Sequence, residues 1–138
     1  MSQALMDYIS ARHAAIVAVL GMLTAEHQLS DELSSVIDVT DAEGEVDGAA
    51  RTLSEAANEL PRDRRPVGWS KPPAPSGVIR VARVRFVNAA LRCLSAQYAG
   101  ESADAANEAE YADDQFTLAA RNLTAEADAH RAAKGRAS

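Results

Sequence analysis

The strongest constraint on this chain is where its prolines stand. All five (Pro61, Pro66, Pro72, Pro73 and Pro75) fall within fifteen residues, and the only tryptophan, Trp69, lies among them. Proline lacks a backbone N–H and fixes φ, so no long helix crosses this stretch. The segments on either side are free of proline and rich in alanine, the strongest helix former. The expected fold is therefore all-α: a bundle of about four helices, built as two helical arms joined by a stiff connector over residues 61–77.

Alanine contributes 30 of the 138 residues, whereas aromatic residues make up 4%. A chain of this length fits one domain over residues 1–138. Each inward-facing alanine buries little area, so the core is expected to be thin and the helices close together. Stability then depends on continuous contact along the helices and on association with a partner.

In the first arm Ser2 is placed to cap a helix. Leu5, Ile9, Ile16, Leu20 and Leu23 recur at helical spacing and are expected to form its buried face, which resumes at Leu33 and Ile37. A break near His27–Asp31 competes with a run to about Asp38. Thr40 and Glu43 form a capping-box pattern, predicting a second helix from Thr40 whose apolar face is Val46, Ala49, Leu53, Ala56 and Leu60. Pro61 ends it. Pro72-Pro73-Ala74-Pro75 favours polyproline II, a rigid spacer with Trp69 folded against the bundle.

Ser76 or Gly77 is expected to open the third helix, with Ile79, Ala82, Phe86, Ala89, Cys93 and Ala96 on one face. Its β-branched opening suits a strand by composition, but strict alternation fails, because Arg80 falls on one face and Arg83 and Arg85 on the other. At the next joint Gly100 suits a helix C-cap and Ser102 an N-cap, which gives a hairpin. Without a break, the last two helices form one rod of roughly 55 residues, about 80 Å long. The hairpin is the favoured expectation. Ala105, Ala109, Ala112, Phe116, Ala119 and Leu123 then alternate spacings of four and three, the pattern of an alanine-dominated coiled-coil seam. Residues 131–138 are small, polar and basic, and are expected to fray.

The net charge of −6 is segregated. Residues 1–60 carry a balance of −9, residues 61–100 of +7 and residues 101–138 of −4. The simplest arrangement packs a basic middle element between acidic arms. The alternative is a nucleic-acid-associated regulator using Arg80, Arg83, Arg85 and Arg92, which needs those arginines exposed on one face. A small-molecule or metal-binding bundle is a further alternative.

Catalytic and metal chemistry find little support. There is one cysteine, Cys93, among apolar helical positions, which excludes an internal disulfide and suits a small buried side chain. His13 lies on the expected inner side of the first helix. His27 with Asp31, and Glu126 with His130, share a face at a spacing of four, but no Glu-x-x-His, no His-Glu-x-x-His and no paired cysteines occur. No glycine-rich phosphate loop follows a strand. The chain is expected to be non-enzymatic, with no cofactor and no metal. The run Ala14–Leu23 is ten apolar residues, too short to span a bilayer, and Asp7 precedes it. The expected location is cytoplasmic, or exported without a conventional signal peptide.

The order of helix, tryptophan-bearing turn, alanine-rich helix and tyrosine–acid tail resembles small helical proteins associated with actinobacterial type VII secretion. The stretch concerned is Leu53 to Leu123. The turn is Gly68-Trp69-Ser70-Lys71, with Lys71 where those families carry a second glycine. Tyr111 is followed by Asp114, and Tyr98 by Glu101, at a spacing of three where the families place the acid at four. The resemblance implies an antiparallel helical pair that binds another protein. Together with the thin core, it points to a protein-interaction module, secretion-associated or a subunit of a larger assembly. A protein partner or a homo-oligomer is expected, with the candidate contacts Trp69, Tyr111, Phe116, Ala119 and Leu123.

Overall fold

The computed structural model describes residues 2–30, 36–100 and 102–137. The regular elements are α1 (Gln3–Ser30), α2 (Val36–Asn58), α3 (Ile79–Gln97) and α4 (Ala103–Ala137), with a single 3₁₀ turn at Arg62–Arg64 inside the connector. Among the described residues there is no strand. α1 packs on α2, α2 on α4, and α4 on α3, while α1 and α3 touch only slightly.

The core is built from the spacings the sequence sets out for the last three helices. Val46 and Leu53 of α2 and Leu60 just beyond it are buried, as are Ala82, Phe86, Ala89 and Cys93 of α3. Phe86 and Phe116 stack at the centre, their ring centroids 4.7 Å apart. This one aromatic pair supplies much of the area that the surrounding alanines do not. The β-branched opening of α3 is helical, because its apolar residues meet the core every three or four positions rather than every two.

Gly100, at φ +106°, turns the chain out of α3 in the left-handed region that favours glycine. The Ser102 hydroxyl then accepts from the Ala105 N–H at 3.1 Å and opens α4. The last two helices are thus a hairpin and not one rod. The residues from Arg131, expected to fray, continue α4 as helix to Ala137, with exposed side chains as far as Arg136.

Three expectations need correction. α2 is already helical at Val36, so Thr40 lies inside it; its hydroxyl donates back to the Val36 carbonyl at 2.9 Å instead of capping. Glu43 reaches Arg83 instead of its own helix end. α3 begins at Ile79 without a side-chain cap, two residues later than the Gly77 start. α1 stays helical through Ser30, so the expected break does not fall within residues 27–30; Asp31 and Leu33 lie outside the described residues, and Ile37, expected on the resumed buried face, is exposed.

The third correction concerns which face of α1 points inward. The buried residues are Ala11, Ala15, Ile16, Val19 and Met22, whereas Ile9 and Leu20 are exposed, and so is His13. The inward face is turned by roughly 100° from the expected one, at 3.6 residues per turn. This orientation places the side chains of Tyr8 and Arg12 where they reach α4. The hydroxyls of Tyr8 and Thr117 lie 2.7 Å apart, and the Arg12 guanidinium donates to Asp113 at 2.6 and 3.0 Å. By length and composition alone, Gln3–Leu29 is apolar enough to cross a membrane; within the bundle its Arg12 is tied to α4 by that ion pair.

Candidate functional site

The connector is held at two points. At the first, Trp69 is buried, and its indole N–H donates to Asn58 Oδ1 at 2.9 Å. The Arg121 guanidinium lies over the indole ring, 4.4 Å from its centroid. The same guanidinium donates to the carbonyls of Trp69 and Lys71, the latter at 2.7 Å. Among the described residues it has no carboxylate partner, its Nε–H is buried without an acceptor, and burial pulls its pKa down.

At the second point the carboxylate of Glu126 accepts from the Ser76 N–H, from the Ser76 hydroxyl at 2.8 Å and from the Gly77 N–H at 2.9 Å. Burial opposes its charge, but these three donors and the nearby Arg85 outweigh it, so its pKa is lowered. Gly77 sits at φ +90°, which turns its N–H toward the carboxylate. The proline run between the anchors walls a groove of about 400 Å³ over α3 and α4. Its floor includes Ala82, Ala89 and Ala119, and Arg85, Arg92 and Asn122 stand around it.

The candidate contact residues therefore separate. Phe116 and Leu123 are fully buried in the bundle's own core and offer a partner no surface. Trp69 serves as the connector's anchor, buried for the same reason. Ala119 is half-buried in the groove floor, and Tyr111 alone is largely exposed, at 62%. A periodic seam marks a contact face without saying whether the chain or a partner fills it, and here the chain fills it.

The basic segment is likewise divided. Arg83 lies between Glu43 and Asp47 at 2.8 Å from each, which neutralises it internally. Arg80 and Arg83 line a cavity of about 290 Å³ between α1, α2 and α3, whereas Arg85 and Arg92 line the groove on the other side of α3. The four arginines form no single face for a phosphate backbone.

Burial, followed by the charge of Asp113, pushes the Cys93 thiol up to about 12, and the thiol donates to the Ala112 carbonyl at 3.3 Å. Among the described residues no three His, Cys, Asp or Glu side chains gather as a metal would need. Glu126, considered with His130 as a metal pair, is occupied by the connector.

The surface that sequence reasoning missed is the outer side of α1. Met6, Ile9, Val17 and Leu20 are each exposed by 41% to 54% and line up along the helix. The signal was available as a second apolar stripe, but a helix that is apolar on both sides gives periodicity two answers. Neither a family model, nor a curated protein, nor a solved structure matches this chain.

Proposed function

We propose that this chain is a non-enzymatic protein-interaction module that works by helix-to-helix docking, and that the outer face of α1 is its docking surface. The observation that carries this is the exposed stripe of Met6, Ile9, Val17 and Leu20. Fully burying one such side chain contributes about 1.5–3 kcal/mol, so covering these half-exposed ones offers ~1 kcal/mol apiece. An apolar helix face seated in an apolar groove or on another helix is a common recognition mode. The face differs from the one the sequence suggested, because the alanine seam of α4 is spent on the bundle itself.

A photo-crosslinking amino acid placed at Val17 of the full chain, in its native cells, tests the proposal. A control position at Glu55, exposed on α2, reports background. A discrete protein adduct at Val17 and none at Glu55 is the expected result. Adducts to lipid alone, or no adduct above the control, would refute a protein-docking role for this face.

A further inference from the structure

The groove beside the proline run differs from the helix interfaces in how its charges are matched. Arg12, Arg51 and Arg83 each hold a carboxylate on a facing helix. Arg85 and Arg92, which line the groove, hold no hydrogen bond or ion pair among the described residues. Carboxylates are not scarce in this chain, which has 20 acidic groups against 14 lysines and arginines. The one acid among the groove's lining residues, Glu126, is bound to Ser76 and Gly77; Arg85 favours its charge but forms no ion pair with it.

The two arginines are placed in register with two amides. α3 and α4 run antiparallel, with Cys93 donating to the Ala112 carbonyl and Phe86 stacked on Phe116. Arg92 therefore stands level with Gln115, and Arg85 with Asn122, all four lining the groove. The two levels are seven residues apart on each helix, or ~10 Å along the axis. Between them the floor is apolar and small, at Ala89 and Ala119. Each level offers a guanidinium fork, which matches a carboxylate, and an amide that can also donate to it.

We infer that this groove is a binding site for a small elongated dicarboxylate, held with one carboxylate at the Arg85 level, the other at the Arg92 level and its apolar body over the alanines. The volume of about 400 Å³ suits a small molecule. The wall is fixed in advance, because the connector is fastened by Arg121 on one side and by Glu126 on the other, which lowers the ordering cost of binding. This site is separate from the outer face of α1 and stands or falls independently of docking there.

Calorimetric titration of the purified full chain at low salt tests it, with azelate, the linear nine-carbon dicarboxylate, as the probe. Nonanoate has the same length and one carboxylate, glutarate has two carboxylates on a short chain, and inorganic phosphate has no apolar body. Azelate is expected to bind saturably, and each of the other three to bind ~10-fold more weakly or less, since each forgoes one of the charge-assisted contacts or the apolar one. Arg85→Gln and Arg92→Gln are each expected to weaken azelate by ~10-fold or more, and the double variant to abolish binding. Both arginines are exposed, so unchanged far-UV circular dichroism certifies the fold of the variants. Arg64→Gln, which removes an equal charge from an exposed position outside the groove, is expected to leave the affinity unchanged. Absence of saturable azelate binding overturns the inference. So does equal binding of nonanoate or phosphate, which would need only one charged contact, or an equal loss in Arg64→Gln, which would reduce the effect to overall charge.

Discussion

Replacing Arg121 by alanine tests whether the connector is fastened by one side chain or only by chain stiffness. Arg121 donates to two carbonyls, those of Trp69 and Lys71, and covers the Trp69 ring. A hydrogen bond from a charged donor contributes ~1 kcal/mol at a partly exposed site. The cation–π contact adds ~1 kcal/mol. Against these stands the buried Nε–H with no acceptor, whose desolvation costs ~1 kcal/mol and disappears with the side chain. The net loss is therefore about 2 kcal/mol, or roughly 7 °C in melting temperature for a domain of this size.

Trp69 is the only tryptophan, so its emission reports the connector alone. In Arg121→Ala its emission is expected to shift to longer wavelength at lower urea than the loss of helical circular dichroism, since the connector can detach before the bundle opens. Arg121→Lys keeps the charge but cannot fork to two carbonyls, and is expected to recover less than half of the loss. An Arg121→Ala protein with unchanged emission and an unchanged urea midpoint would refute the reasoning. It would mean that Trp69 burial and the prolines suffice.

The second anchor makes a pH prediction. The Glu126 carboxyl has a lower pKa folded than unfolded, so the stability it contributes is complete above the ordinary glutamate range and is lost as pH falls through its folded value. Thermal melts of Glu126→Gln are expected to lie below those of the parent at neutral pH and to converge with them in acid; a constant gap at every pH would count against the anchor. Cys93, buried and with its thiol raised to about 12, is expected to react with an aromatic disulfide reagent only at the rate of unfolding. Rapid labelling of the native protein would contradict its placement.

What the sequence made legible follows from how many answers each pattern allowed. The connector was clear because five prolines exclude the alternatives. The inner faces of α2 and α4 were clear because each of those helices has a polar side, so periodicity has one solution; on α3 the largest side chain, Phe86, marked the inner face although Val81, Val84 and Leu91 are exposed. The hairpin was legible in Gly100 and Ser102, residues that serve a chain reversal better than a continuous helix. Thr40 and Glu43 misled because a capping box is a local pattern, and the long-range partner Arg83 competes for the same carboxylate. Trp69 was expected against the bundle, but its fastening by Arg121 and Asn58 depends on residues far apart in sequence, which no local pattern contains.

The outer apolar face of α1 was illegible for a different reason. α1 is apolar nearly all round, and the usual rule sends the larger residues inward. In this bundle Tyr8 and Arg12 bond to Thr117 and Asp113 of α4, and the same orientation turns Ala11, Ala15, Ile16, Val19 and Met22 inward. Other large residues are consequently turned outward, where each forgoes ~1 kcal/mol of burial. A bundle that needed nothing beyond itself would lose nothing by carrying polar residues at Met6, Ile9, Val17 and Leu20, and would gain solubility. Apolar residues at these four positions are what the proposed docking role requires.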